Sequence, residues 1–278
     1  MTVKKTSCSP ALPVLICILV SVLSLTTGCA TAGRPRPVAS RFSDILSLYP
    51  QTLDPLKMPQ LLTTGDDPAL HSPAPRDIYI IVHPAYAIFV RDLTKDAFPD
   101  VKYILQKRQF YNEAKFIASE SLAGNIVILI IPGRYTTNSA YPLSYTAYLN
   151  NMTWGSNSVY YIYSESPNSG GLSIDDMVSL YRILRGMNAR RVLVGGGYIG
   201  RCQREFFNQL TTYLDSIPAF IVPEISTISP EDISEEEAAT MLKSLRAEDY
   251  APIKSFIQRK IGTVNLLSIP QSDKPVFR

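Results

Sequence analysis

Histidine and cysteine, the side chains that most often bind transition metals, are scarce in this chain of 278 residues. The sequence contains two histidines, His71 and His83, and four cysteines. A zinc site needs three or four protein ligands, and two histidines in unrelated contexts do not supply them. The sequence therefore predicts no metal site.

The chain also lacks a large excess of charge of either sign. Its 27 basic and 24 acidic residues give a formal net charge of +3, and two of the lysines lie in the first five residues. This composition predicts no strong field toward nucleic acid or anionic lipid, and no nucleic-acid partner. Because 46% of the residues are apolar and 18% are charged, the chain can bury a large core and is not of the disordered class.

Long apolar runs are missing except near the start. The segment MTVKK is followed by an uncharged apolar run over residues 11–25 and by the small residues TTGCA, a pattern typical of an export signal. The ending resembles the bacterial lipobox, with Thr26 where leucine is preferred. This resemblance implies cleavage before Cys29, lipid attachment to Cys29, and, because Ala30 follows, the periplasmic face of the outer membrane. An uncleaved N-terminal anchor is the alternative.

Cleavage before Cys29 leaves one free thiol. Cys8 and Cys17 are removed with the leader, and Cys29 is expected to bear lipid. Only Cys202 remains, so the mature chain can form no intramolecular disulfide, although exported proteins often do.

The composition changes along the chain divide it into four parts. Residues 1–28 are the predicted signal peptide, and residues 29–75 are a proline-rich tether after the lipidated cysteine, with one short helix near 41–49. Residues 76–262 form the predicted domain, and residues 263–278 form a tail.

Short apolar segments alternate with helical ones after residue 75. This alternation predicts a three-layer α/β domain, in which a mostly parallel sheet is covered by helices on both faces. The strands are predicted at 77–82, 125–131, 158–163, 191–194 and 219–222.

Helices are predicted between these strands from apolar spacing and capping residues. Ser173 precedes an amphipathic segment at 174–184, and Ser234 with Glu237 matches a capping box. Further helices are predicted at 99–121, from Cys202 onward, and at 251–261.

The stretch RVLVGGGYIGRC, residues 191–202, has two functional interpretations. Gly195, Gly197 and Gly200 match the dinucleotide fingerprint G-x-G-x-x-G, and Glu224 follows at the end of the next strand. Against this, the bulky Arg201 opens the helix where phosphates would approach. The alternative is that the stretch positions the thiol of Cys202.

The second interpretation has wider support, because residues 77–246 resemble the isochorismatase-like cysteine hydrolases. Leu184 precedes Gly196 by twelve residues and Gly196 precedes Cys202 by six, which is the family spacing. The resemblance implies a triad of cysteine, aspartate after the first strand and lysine after the third. It also implies an oxyanion site at a cis peptide, here Gly197–Tyr198.

The sequence departs from that triad at both activating positions. His83 stands where the aspartate is expected, and no lysine occurs between Lys115 and Lys243. The segment IIPGRYTTNSA also lacks the Asp-x-His signature of the metal-binding members. The resemblance thus implies a fold whose triad has been lost or rebuilt.

Three functions remain open at this point. The first is a membrane-anchored, non-catalytic domain that binds an unidentified protein or small molecule without a cofactor, its tyrosine-rich segment around Trp154 being a candidate recognition surface. The second is a divergent hydrolase of amides or esters that uses Cys202 as nucleophile and His83 as base. The third is a nucleotide-binding module built on Gly195, Gly197, Gly200 and Glu224.

Overall fold

A computed structural model describes residues 60–61, 74–84, 100–132, 159–166, 169–214 and 216–269. The leader, Cys29, the helix predicted near 41–49 and the segment around Trp154 lie outside these residues. Within the described part of the chain, no helix combines the length and the apolar character needed to cross a membrane.

Among the described residues, the centre of the domain is a parallel sheet of six strands. They are β1 (Gln60–Leu61), β2 (Arg76–Val82), β3 (Val127–Ile131), β4 (Val159–Tyr163), β5 (Ala189–Tyr198) and β6 (Ala219–Thr227). Their order across the sheet is β1-β4-β3-β2-β5-β6, and every pair is parallel. The chain builds outward from β2 to one side and then returns to add β5 and β6 on the other, which is the doubly wound pattern.

Helices cover both faces of this sheet, so the three-layer α/β prediction is confirmed. The helices are α1 (Asp100–Leu122), α2 (Ile174–Gly186), α3 (Cys202–Tyr213), α4 (Glu235–Arg246) and α5 (Ala251–Ile261), with a 3-10 turn at Pro230–Asp232. The longest helix, α1, packs on α4 and β6, whereas α2 packs on α3 and β5.

The capping residues predicted from sequence are confirmed. The Ser173 hydroxyl accepts a hydrogen bond from the Asp176 amide at 3.1 Å. At α4, the Ser234 hydroxyl accepts from the Glu237 amide at 3.1 Å, and the Glu237 carboxylate accepts from the Ser234 amide at 2.9 Å. Caps of this kind stabilise a helix by about 1 kcal/mol each.

The strands nearest the middle of the sheet are the most apolar. All five residues of β3 are fully buried, as are Ile78 and Ile80–Val82 of β2. Burial of each such aliphatic side chain contributes about 1.5–3 kcal/mol relative to exposure. The core therefore lies around β2 and β3.

The isochorismatase-like resemblance implies that the strands at 77, 158 and 191 lie near the sheet centre, and for the strand at 158 this prediction is wrong. That strand is β4, which is separated from the edge only by the two-residue β1, while β3 takes the central place beside β2. The reason is visible in the side chains, since β3 is wholly aliphatic but Tyr163 of β4 is 38% exposed. A strand with partly exposed tyrosines suits a position next to an edge.

One strand extends beyond its predicted limits, and residues outside the predicted domain pair with the sheet. Strand β5 was expected to end at residue 194, but its pairing with β2 continues to Gly196 and its pairing with β6 to Tyr198. At the ends of the domain, Gln60–Leu61 pairs with β4 and Leu266 forms a bridge with Ile221. Parts of the predicted tether and tail thus belong to the sheet.

Candidate functional site

The carboxyl ends of β2 and β5 bring His83 and the glycine-rich turn to the same place. Val82 pairs with Gly196 in the sheet, and His83 follows Val82 directly. The two strands are neighbours at the point where the winding of the sheet reverses. In open α/β sheets this is where ligand crevices form.

Close packing around Cys202 explains the glycines of the turn. A Cβ atom on Gly196 would overlap the Val82 carbonyl oxygen, and one on Gly197 would lie 3.0 Å from the Cys202 sulfur. Both glycines also have positive φ angles, of 69° and 59°, which other residues adopt at a cost. The turn therefore presses β5 against β2 and places the Cys202 thiol at the start of α3.

The Cys202 thiol is buried, and its surroundings stabilise the thiolate only weakly. Its residue is 5% exposed, and its sulfur accepts a hydrogen bond from the Tyr198 amide at 3.2 Å. Burial raises the pKa of this thiol to about 11, backbone amides lower it only in part, and the carboxylate of Glu205 raises it further. At neutral pH the sulfur is a neutral thiol.

His83 is buried as a neutral imidazole. It is fully buried with φ of 44°, and a hydrogen bond of 3.2 Å joins its Nε2 to the Ser164 hydroxyl. Burial lowers the pKa of His83 to about 3, although a hydrogen bond with the backbone of Ser169 raises it in part. An imidazole with so low a pKa is a weak general base.

Ser164 occupies a position that the sequence did not single out. It directly follows β4, the third strand of the predicted domain, where the family resemblance implies a lysine. Its hydroxyl donates to the Ser166 carbonyl at 2.8 Å besides contacting His83. A neutral histidine–serine pair thus stands where an aspartate–lysine ion pair is expected.

Glu205 is a second residue that sequence reasoning missed. Its carboxylate accepts hydrogen bonds from the Ser169 hydroxyl at 2.5 Å and from the Gly170 amide at 3.0 Å. It lies in the first turn of α3, one turn after Cys202. An acidic residue in a first helical turn is common for dipole reasons, so its place beside the thiol could not be foreseen.

Gln203 fixes the end of strand β5 from the other side of the turn. It is fully buried and donates from Nε2 to the Gly196 carbonyl at 2.9 Å and to the Ser226 hydroxyl at 2.8 Å. Ser226 in turn donates to the Val222 carbonyl at 2.7 Å. These bonds tie β5, β6 and α3 together directly behind Cys202.

The turn expected to hold the oxyanion differs from the family geometry. Within the described residues every peptide bond is trans, including Gly197–Tyr198. The Tyr198 amide is directed to the Cys202 sulfur itself. The cis peptide expected from the resemblance is therefore absent here.

The glycine fingerprint does not border an open crevice. A Cβ on Gly195 would lie 2.5 Å from the Ile225 side chain, and one on Gly200 would lie 3.0 Å from Lys260. The amide of Ile199 donates to Thr227 at 2.8 Å. Protein atoms occupy the space that phosphates would need.

The other residues of the nucleotide hypothesis are also engaged elsewhere. Arg201 pairs with Glu231 and Asp232 at 3.1 and 3.0 Å. Glu224 lines a cavity of about 380 Å³ with Lys254 and Ser268, and none of the three fingerprint glycines is among its described lining residues. The structure does not bring Glu224 and the glycine turn into one site.

No group of three metal-binding side chains occurs among the residues that the structure describes. Cys202 is the only cysteine within them and is a free thiol.

Comparisons with known proteins gave similarities in structure alone. No family model and no curated protein matches the sequence. The chain is similar to the YcaC gene product of Escherichia coli, an octameric hydrolase of unknown specificity, with 11% identity, 77% of this chain and 79% of the other covered, and a TM-score of 0.37.

Two further solved structures are similar to a comparable degree. For the zinc complex of a pyrazinamidase of Pyrococcus horikoshii the identity is 20%, with 61% of this chain and 96% of the other covered and a TM-score of 0.34. For an isochorismatase family protein of Desulfovibrio vulgaris the values are 14%, 67%, 100% and 0.29. These TM-scores lie below 0.5, and the doubly wound fold is assigned from strand order and register.

Proposed function

We propose that the chain is a lipid-anchored protein of the bacterial cell envelope whose α/β domain binds a partner without catalysing a reaction. The observation that supports this most directly is the surroundings of Cys202. The charged group acting on its thiol is the Glu205 carboxylate, which raises the pKa of the thiol. A nucleophilic cysteine needs the opposite influence.

Three features of a cysteine hydrolase are replaced at this site. The base position holds His83 with a pKa of about 3. The cation position holds Ser164, hydrogen-bonded to His83. The amide that could stabilise an oxyanion instead donates to the Cys202 sulfur. Each replacement gives a stable buried contact and removes one requirement of acyl transfer.

The anchor rests on the sequence of the leader. An apolar run at 11–25 followed by TTGCA is the pattern cleaved before a lipid-bearing cysteine. Several acyl chains on Cys29 give durable attachment, because each buried methylene contributes about 0.8 kcal/mol. Intact mass of the native protein tests this, since an unmodified Cys29 contradicts it.

The proposed absence of catalysis is tested with a panel of amide and ester substrates. We expect the wild-type protein and the Cys202→Ala variant to give the same background rate. The contrary result, turnover that depends on Cys202 and disappears in His83→Ala, would establish the divergent hydrolase instead. A circular dichroism melt of each variant distinguishes lost chemistry from lost folding.

A further inference from the structure

Arginines are concentrated at the edge of the sheet where the strands begin. Two of them open β5, one opens β2, and two lie near the end of α2, which stops at Gly186 just before β5. We call this group the arginine edge; its members are Arg76, Arg182, Arg185, Arg190 and Arg191.

Two members of the arginine edge share a single carboxylate, that of Asp77. Asp77 accepts two bonds from Arg190, both at 3.0 Å, and two from Arg191, at 2.9 and 2.7 Å. Burial raises the pKa of Asp77, but these arginine bonds outweigh it and the net shift is downward. One carboxylate therefore serves two guanidinium groups.

Three members of the arginine edge are exposed to solvent. The Arg190 side chain is 60% exposed despite its contact with Asp77. Arg182 and Arg185 are both exposed on α2, and the guanidinium of Arg185 lies over the Tyr181 ring at 5.8 Å. The edge thus presents guanidinium groups in a form that can bind phosphate oxygens bidentately.

Three basic residues at the opposite end of the domain contact carboxylates. Arg201 contacts Glu231 and Asp232, and Lys260 lies 3.8 Å from Asp232. Arg259 pairs with Glu237 at 2.9 Å. Carboxylates thus offset these three cations locally, whereas Arg182 and Arg185 at the arginine edge are exposed.

The first two described strands begin at the arginine edge. Strand β1 is parallel to β4 and β2 is parallel to β3, so both strands start at this edge. Residues 30–59 join Cys29 to β1 and can span at most about 100 Å when fully extended. A membrane-attached Cys29 would therefore keep β1 within this distance of the membrane.

We infer that the arginine edge docks on the anionic phospholipid headgroups of the membrane that holds the lipid anchor. This inference rests on the proposed anchor. Each basic residue close to an anionic membrane surface raises the binding constant about fivefold. Docking in this way turns the carboxyl ends of the strands, with His83 and Cys202, away from the membrane and toward a partner.

Hydrogen exchange of the full lipidated chain in nanodiscs tests the inference. Discs of phosphatidylcholine alone are compared with discs that also contain phosphatidylglycerol. We expect amide exchange in peptides covering residues 182–191 to slow severalfold only in the anionic discs and to recover at high salt, where the Debye length shortens. Equal exchange in the two kinds of disc overturns the inference.

Matched variants separate docking from general charge effects. Arg182→Gln with Arg185→Gln should weaken docking about 25-fold, at about fivefold per residue, and abolish the protection. Arg204→Gln removes an exposed arginine from the first turn of α3 at the opposite edge and should keep it. If Arg204→Gln abolishes protection equally, the arginine edge is not the docking surface. Thermal melts verify folding.

Two further arms identify the cause of any protection. Inorganic phosphate added to phosphatidylcholine discs should not protect residues 182–191, and protection by phosphate alone would assign the edge to a free anion. Comigration of the chain with phosphatidylcholine discs, and its loss in Cys29→Ser, reports the anchor alone. If the chain does not comigrate with the phosphatidylcholine discs, the proposed lipid anchor is refuted. The difference in hydrogen exchange between neutral and anionic discs tests docking by the arginine edge.

Discussion

At the scale of single residues, the site is defined by groups that stay neutral. His83 and Ser164 satisfy each other by a hydrogen bond, and the Cys202 sulfur accepts one from the Tyr198 amide. An ionised aspartate and lysine at these places would each need a partner to offset desolvation. The neutral pair of His83 and Ser164 keeps the strand ends packed without that cost.

The neutral state of His83 predicts a pH dependence of stability. The pKa of the imidazole is lowered from 6.5 to about 3 by burial, so the unfolded chain binds a proton between these values and the folded chain does not. The free energy of unfolding should therefore fall as pH falls from 6.5, by up to about 1.4 kcal/mol per unit. Urea unfolding of wild type and His83→Gln measures this, and parallel curves would contradict it.

At the scale of elements, the helices could be predicted from the sequence more accurately than the glycine-rich turn after β5 residue 194. Ser173, Ser234 and Glu237 specify their caps through local chemistry, and the predicted helix 251–261 matches α5. Strand β5 was missed beyond residue 194 because glycine has low strand propensity. Only tertiary packing against β2 and β6 explains why Gly195–Gly197 remain in the sheet.

Gly170 provides a test of how tightly the loop before α2 packs on α3. A Cβ there would overlap the Cys202 carbonyl oxygen and lie 2.7 Å from its carbon, both backbone atoms. We expect Gly170→Ala to lower the free energy of unfolding by about 2–3 kcal/mol. Gly171→Ala is the matched control, because its nearest contacts, at 3.3 Å, are side-chain ends, and it should cost less than about 1 kcal/mol. Equal losses would show that the loop can shift.

At the scale of the whole molecule, the layer architecture could be predicted and the contents of the site only in part. Apolar runs alternating with amphipathic segments suffice to indicate a parallel sheet covered on both faces. They placed His83 and Cys202 at strand and helix ends, and the register of β2 with β5 brings those ends together. The roles of Ser164 and Glu205 depend on loop geometry, and the arginine edge depends on strand order, neither of which local sequence encodes.

The rate at which Cys202 in the native protein is alkylated, followed against pH by mass spectrometry of its peptide, tests the central claim most directly. Because burial raises the pKa of this thiol to about 11, labelling should be slow at neutral pH and increase only in strongly alkaline solution or after unfolding in urea. The urea-unfolded chain, with an ordinary thiol near pKa 8.5, provides the reference rate. Rapid labelling of the folded protein near pH 6 would reveal a stabilised thiolate and contradict a non-catalytic domain.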